Sequence, residues 1–317
     1  MKKNGPLRVG VVGTGVIGQA HARIFSELPN ATLVGVTDTD RPKAEAVAER
    51  AGTRPFDSLD ALLDAEVQAV SIAVPTDLHT EVALQCIKAG CAVLVEKPIA
   101  GDIPSAKAII DAAEAAGTVL MVGHVERFNP AAVALKEVLS SERLISVHIT
   151  RVGPFPPRMS KIGVVIDLAV HDIDLVRWLT GEDIVELHAV TRSIKAERED
   201  VALLQMRTTS GILSQINTNW LTPFKTRTIQ VTTENAYFVA DLITRQVSEY
   251  RDYRPDGSYM ARQLLVSGVE PLRIELDHFI DSVLNSREPD VSGREGLRNL
   301  ELALKCLENL EHKEASL

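Results

Sequence analysis

Lys97, Asp167 and His171 are the side chains whose types and spacing suit proton transfer. Lys97 closes the run Val93-Leu94-Val95-Glu96-Lys97-Pro98. The apolar, β-branched part reads as a strand buried on both faces, since such strands carry continuous rather than alternating apolar residues. Pro98 cannot extend a sheet ladder, so the strand should stop near Glu96. Lys97 then sits at the carboxyl end of a central strand, the edge where open α/β sheets take their ligands. There it can hydrogen-bond a substrate hydroxyl or help to move its proton; elsewhere a lysine at a strand end is a solvated surface cation. Asp167, His171 and Asp174 are spaced i, i+4, i+7 in the apolar-rich segment from Val165 to Leu179. That spacing predicts a helix with all three on one face. Such a polar stripe is costly unless it lines a site or is fully paired. His171 with Asp167 one turn away suits a general base oriented by a carboxylate. A buried, paired structural histidine is the bland alternative, and Asp172, pointing elsewhere, receives no role.

The elements that must position these residues begin with a strand from Leu7 to Val12. It runs into Gly13-Thr14-Gly15-Val16-Ile17-Gly18 and a helix. G-x-G-x-x-G between a strand and a helix is the dinucleotide fingerprint in its required context. Gly13 permits the tight turn, Gly15 lets backbone approach a pyrophosphate, and Gly18 lets helix pack on strand. The N–H groups that open the helix, around Val16 and Ile17, face the phosphates. A second strand, Leu33 to Asp38, ends in an acid twenty residues past Gly18. A carboxylate there accepts ribose hydroxyls and repels a 2′-phosphate, which favours NAD over NADP. Arg41 and Lys43 pull the other way, and an N-cap is the structural reading of Asp38. Beside a cationic nicotinamide, the ammonium of Lys97 would be disfavoured.

Further alternation follows: a short helix from about Leu59 to Leu63 and a strand from Val67 to Val74. Pro75-Thr76-Asp77 breaks that strand, with Thr76 or Asp77 placed to cap a helix from Leu78 to Lys88. His79, near the start of that helix, reads as capping or packing, with cofactor contact a second possibility. Gly90 closes the helix, and a helix from about Ile103 to Ala116 and a strand from Val119 to Val122 complete a doubly wound parallel sheet.

The composition is that of an ordinary globular protein: 317 residues, 45% hydrophobic and 24% charged. This length suggests two domains. A net charge of −9 argues against non-specific nucleic-acid binding. Cys86, Cys91 and Cys306 show no metal-type spacing and read as reduced and buried, so no metal is expected. With no transmembrane run and no signal-peptide core, a cytoplasmic location is the expectation.

The second half opens with Asn129 before a helix from Pro130 to Leu139 and a strand from Leu144 to Val152. A proline-rich loop, Gly153 to Gly163, carries Arg158 and Lys161. Long structured loops tend to be functional, and these cations, flanked by Arg127 and Arg151, could hold a diphosphate. A solvated loop with ordinary surface charge is the alternative. Strands then dominate: Val185 to Thr191, Val201 to Thr208, Ile212 to Trp220, Thr226 to Thr232 and Ala236 to Ala240. In the third, Ile212, Ser214, Ile216, Thr218 and Trp220 alternate with Leu213, Gln215, Asn217 and Asn219. That suits an antiparallel sheet with one face on helices. Helices from Pro271 to Asn285 and Arg294 to His312 close the chain. The expected fold is α/β: an N-terminal doubly wound Rossmann domain (1–124) and a C-terminal α+β domain with a large, mainly antiparallel open sheet (125–317).

Gly13-x-Gly15-x-x-Gly18, Ala73-Val74-Pro75-Thr76-x-x-His79, Glu96-Lys97-Pro98 and Asp167-x-x-x-His171-x-x-Asp174 together carry a likeness. By these motifs the chain resembles the glucose-fructose oxidoreductase/inositol dehydrogenase/rhizopine-catabolism (Gfo/Idh/MocA) family over essentially its whole length. The family often has two glycines before the motif aspartate; here Gly163-Val164-Val165-Ile166 stands. The resemblance implies NAD as cofactor, held by Gly13, Gly15, Val16, Ile17, Gly18, Asp38, Pro75, Thr76, His79, Glu96 and Lys97. It also implies catalysis by Lys97, His171 and Asp167, and a homo-oligomer, dimer or tetramer, built through the C-terminal sheet. Gly123-His124-Val125-Glu126-Arg127-Phe128-Asn129-Pro130 and Arg151-Val152-Gly153-Pro154-Phe155-Pro156-Pro157-Arg158 resemble the branch acting on the 3-hydroxyl of UDP-N-acetylglucosamine. A UDP-sugar would then meet Arg127, Asn129, Arg151, Arg158, Lys161, Asp167 and His171. Two alternatives stand beside that branch: a free-sugar or cyclitol dehydrogenase, and a non-catalytic NAD-sensing regulator. Whether Lys97 or His171 is the formal base is left open by the sequence.

Overall fold

The computed structural model describes residues 5–308 and divides the chain into two units. The first runs to Val125 and adds Leu272–Leu300; the second comprises Glu126–Pro271 and the chain from Glu301.

In the first unit, β1 (Leu7–Val12), β2 (Ala31–Thr37), β3 (Arg54–Phe56), β4 (Ala69–Ile72), β5 (Ala92–Glu96) and β6 (Leu120–Gly123) form one parallel sheet. Its order is β3-β2-β1-β4-β5-β6, so the winding reverses between β1 and β4. Ligands bind at such a switch point, at the carboxyl edge of the strands. The connecting helices are α1 (Val16–Glu27), α2 (Arg41–Arg50), α3 (Leu59–Leu63), α4 (His79–Lys88) and α5 (Ile103–Ala116). Val70, Ile72, Val93, Leu94 and Val95 are fully buried, as continuous apolar strands covered on both faces must be. Asp40, Ser58 and Asp102 cap α2, α3 and α5 by accepting from Lys43, Ala61 and Ser105 amides. The cap expected from Thr76 or Asp77 does not form. Those residues lie in a 3₁₀ turn, Thr76–Leu78, and α4 starts without a side-chain cap.

In the second unit, α6 (Pro130–Leu139) leads to β7 (Leu144–Val152). A π-helical turn, Val165–Ala169, then runs into α7 (Val170–Thr180). Next come β8 (Ile184–Arg192), β9 (Val201–Thr208), β10 (Leu213–Asn219), β11 (Thr226–Thr233), β12 (Ala236–Asp241), β13 (Gln246–Arg251) and β14 (Met260–Gln263). The eight-stranded sheet runs β14-β13-β12-β11-β7-β10-β9-β8, and its one parallel pair is β7 with β10. On β10, Ser214, Ile216 and Thr218 are buried, while Leu213 and Gln215 are exposed, as the alternation predicts.

Two helices end the described chain: α8 (Pro271–Leu284) and α9 (Gly293–Leu307). The expected helix end at His312 lies outside the described residues. Placing all of 125–317 in one domain needs correction, because Leu272–Leu300 belongs to the first unit. Val122 donates to the Val291 carbonyl, and Met121 bridges Ser292. A Cβ at Gly293 would meet Leu120 at 2.6 Å and one at Gly296 would meet Val122 at 2.5 Å, so the glycines permit this packing. Among the described residues no helix is long and apolar enough to cross a membrane.

Candidate active site

The carboxyl edge of the parallel sheet gathers the residues expected to hold a dinucleotide. Gly13 follows β1 at φ +90, where a Cβ would lie 2.6 Å from the Ala73 carbonyl oxygen. A Cβ at Gly18 would overlap the Gly13 carbonyl oxygen at 1.9 Å. Gly15 has open space where its Cβ would be, leaving the backbone accessible to a pyrophosphate. Val16 and Ile17 are exposed although apolar, as residues that a bound cofactor would cover. By these tests the loop fits NAD.

Asp38 follows β2 and is turned toward the same loop. Its Oδ2 accepts from the Thr14 amide (2.6 Å) and hydroxyl (2.9 Å), and its Oδ1 from the Asp40 amide (2.8 Å). Partial burial opposes its charge, but these hydrogen bonds prevail and hold the carboxyl below its ordinary range. The helix cap considered for Asp38 is made by Asp40 instead. Lys43 pairs with Asp40, and Arg41 with Glu45 and Asp57, so both cations near the ribose position are engaged by acids. Asp38→Ala should narrow the preference for NAD over NADP by about 10–100-fold, the equivalent of losing a charge-assisted hydrogen bond. Comparing kcat/KM for the two cofactors measures it; an unchanged ratio would remove Asp38 from discrimination.

Pro75 and Thr76 follow β4 at this edge, and Lys97, half-buried, follows β5. The Lys97–Pro98 peptide is cis. His79 is buried with Nδ1 2.9 Å from the Pro98 carbonyl and Nε2 3.0 Å from the Val74 carbonyl. Burial lowers its pKa. It thus ties the loop after β4 to the Lys97–Pro98 turn, which favours the packing reading over cofactor contact. Glu96 likewise turns inward, with its Oε1 3.3 Å from His21 Nε2. His21 Nδ1 in turn lies 2.6 Å from the Ser71 hydroxyl. Glu275 of α8 completes a trio, with His21 and Glu275 buried and Glu96 partly so, whose potential ligand atoms lie within 4.8 Å of one another. Desolvation opposes ionisation of Glu96, yet His21, Lys97 and His79 hold its pKa low. Glu96 therefore anchors the end of β5, next to Lys97, through its contact with His21.

In the second unit, Asp167 lies in the π-helical turn and His171 in the first turn of α7, both half-buried. π-helical turns recur at functional sites. The segment expected to be one α-helix is π-helical as far as Ala169 and α-helical from Val170, and Asp174 is spent in a buried pair. Arg127 donates to both Asp174 oxygens, from Nε at 2.8 Å and Nη2 at 2.6 Å. Arg151 donates to Asp172 (2.7 Å) and Glu126 (2.8 Å), and Arg227 donates to Glu126 (3.0 Å). Burial works against the Glu126 carboxylate, but Arg151 and Arg227 keep its pKa below the ordinary value. At Asp172 burial wins over Arg151, and the carboxyl is pushed up to about 6.

These pairs correct the expectation that Arg127 and Arg151 grip a diphosphate: both are buried and neutralised within the unit. Asn129 is corrected too. Its Oδ1 caps α6 at the Ala131 amide, and its Nδ2 donates to Glu126 and to the Leu242 carbonyl. Lys161 is exposed, and among the described residues it makes no ion pair. Arg158 lies in a 3₁₀ turn, Pro157–Met159. A signal for the buried pairs was present: Arg151 shares the strand parity of the buried Val147 and Ile149, so it had to point inward.

Residues 7–124 match the oxidoreductase family with an NAD-binding Rossmann fold, and residues 142–239 match the GFO/IDH/MocA C-terminal domain. A UDP-N-acetylglucosamine 3-dehydrogenase from Acidithiobacillus ferrooxidans is 30% identical over 310 residues, covering 94% of this chain and 96% of that protein. The chain belongs to the Gfo/Idh/MocA oxidoreductase family. A crystal form of that Acidithiobacillus protein matches with a TM-score of 0.88, covering 94% of this chain and 96% of that one. A second relative, the inositol 2-dehydrogenase of Rubrobacter xylanophilus, is 35% identical over 224 residues, 67% of this chain and 65% of that protein. GenD2 from gentamicin A biosynthesis, in complex with NAD, is 25% identical with a TM-score of 0.83, covering 97% and 95%. As a Gfo/Idh/MocA protein this chain is an NAD-dependent oxidoreductase.

Proposed function

We propose that this NAD-dependent sugar dehydrogenase oxidises a UDP-N-acetyl-amino sugar, at the 3-hydroxyl of UDP-N-acetylglucosamine. The observation carrying this reading is the similarity, along nearly the whole of both chains, to an enzyme named for that reaction. NAD, when bound, supplies the hydride acceptor. A secondary alcohol cannot complete hydride loss while it keeps its proton, so the protein must supply a proton acceptor. In this reading Lys97 hydrogen-bonds the reacting oxygen, and His171 and Lys97 are the two groups that handle its proton. Asp167 orients the imidazole and stabilises its charged form. With Arg127 and Arg151 spent internally, Arg158 and Lys161 are left to meet the diphosphate.

UDP brings about two negative charges to a protein of net charge −9, so local cations must hold it. Calorimetry should therefore show UDP binding that weakens as salt rises, because part of the attraction is screened. Arg158→Ala should raise KM for the UDP-sugar while leaving NAD affinity unchanged. Absence of UDP binding, with or without NAD, together with turnover of a free sugar or inositol, would promote the second reading. That reading, a cyclitol or free-sugar dehydrogenase, is favoured by the inositol 2-dehydrogenase similarity.

A homo-oligomer belongs to the same proposal. Val190, Leu203 and Leu213 are exposed on the face of β8, β9 and β10 turned away from the core. Such a face suits burial against a second copy of the chain.

A further inference from the structure

The turn that opens α7 is held by one buried glutamate at the end of the β8–β9 connection, two residues before β9. Glu199 is 1% exposed. Its Oε1 accepts from the Val165 amide at 3.2 Å, and its backbone carbonyl accepts from the Val164 amide at 2.8 Å. Two successive N–H groups at the start of the π-helical turn are thus satisfied by a single residue. These are donors that a helix start leaves without intrahelical partners.

Gly163, just before them, has φ +89, and a Cβ there would stand 2.1 Å from Glu199 Oε1. A glycine is therefore required both by its left-handed backbone and by the carboxylate beside it. The Gly163 carbonyl in turn accepts from the Asp167 amide at 3.1 Å. One short path joins Glu199 to Asp167 through the backbone of the turn itself.

Glu199 is held from its own side as well. The Asp200 carboxylate accepts from the amides of Ile194, Lys195 and Ala196, and the Asp200 carbonyl accepts from the Trp220 amide. The Ser160 carbonyl and hydroxyl accept from the Arg198 and Glu197 amides. Around the carboxylate stand Arg198, 3.8 Å from Oε2, together with Asp200 and Cys306. Burial pushes the Glu199 carboxyl up, so the site favours a neutral acceptor over a charge.

We infer that Glu199 is a positioning residue: it fixes the turn that carries Asp167, and with it His171, through hydrogen bonds to Val164 and Val165. The inference rests on the proposed roles of Asp167 and His171, and Glu199 itself has no part in the chemistry. A glutamine keeps the acceptor and the shape, whereas an alanine keeps neither.

Hydrogen exchange of the full-length protein, read peptide by peptide, tests the contact without any substrate. Glu199→Ala should speed exchange in the peptide covering 163–171 by roughly five- to tenfold, the size expected for one net hydrogen bond. Glu199→Gln should match the wild type. Gly163→Ala should reproduce the Glu199→Ala effect from the other side of the contact. With UDP-N-acetylglucosamine and NAD, Glu199→Ala should lower kcat by roughly ten- to a hundredfold at unchanged KM for NAD, as displacement of catalytic groups does. Glu199→Gln should restore it. Wild-type exchange in Glu199→Ala, or faster exchange throughout the second unit, would overturn the inference. If wild-type enzyme leaves UDP-N-acetylglucosamine unchanged, the substrate reading fails while the exchange result still decides the role of Glu199.

Discussion

Lys97→Ala and His171→Ala should each lose about 10²–10⁴-fold in turnover, the usual consequence of removing an acid–base group. NAD binding should survive both changes. Lys97 follows β5, whereas the glycines that fit the pyrophosphate follow β1, and His171 belongs to the other unit. Fluorescence titration with NADH and steady-state kinetics separate the two quantities. Near-native turnover in either variant would remove that residue from the mechanism. Loss of NADH binding in the Lys97 variant would instead make it a cofactor ligand.

The buried arginines should answer differently. Arg151→Ala leaves Asp172 and Glu126 as buried carboxylates without their main partner, and Arg127→Ala does the same to Asp174. Removing one partner of a buried pair costs about 3–5 kcal/mol. Urea unfolding should therefore report a large loss of stability in both variants. The loss in Arg151→Ala should shrink in acid. The folded pKa of Asp172, about 6, lies above its ordinary value, so its ionisation costs stability as pH rises through that point. Below it the carboxyl is protonated, and less is lost with the arginine. An arginine serving only a substrate diphosphate would leave unfolding unchanged and raise KM alone.

Much of this was legible in the sequence because the period of the apolar residues changes with the element. β5 is a continuous apolar run and β1 an apolar-rich one, β10 alternates, and Gly13 and Gly18 of the first loop stand where only glycine fits. β13 and β14 were not legible. β13 buries Val247 and Glu249, so a charged residue takes the place of an apolar one, and all four residues of β14 are exposed. The placement of the site residues was legible only in part. Lys97 falls at the sheet edge as its proline requires, and the acids of α7 do stand on an apolar helix. Spacing could not show which of them are already paired, since Arg127 and Arg151 reach Asp174 and Asp172 across 47 and 21 residues of chain. Nor could it show Glu199, whose partner is a backbone amide 34 residues away.

The central claim is the identity of the oxidised alcohol, and NADH formation across a panel of substrates tests it most directly. Purified enzyme with NAD would be offered UDP-N-acetylglucosamine, other UDP-sugars, free N-acetylglucosamine, glucose and myo-inositol. Robust NADH production is expected with UDP-N-acetylglucosamine, with the free sugars and inositol far behind. NADH production from myo-inositol or a free sugar, with none from any UDP-sugar, would contradict the claim.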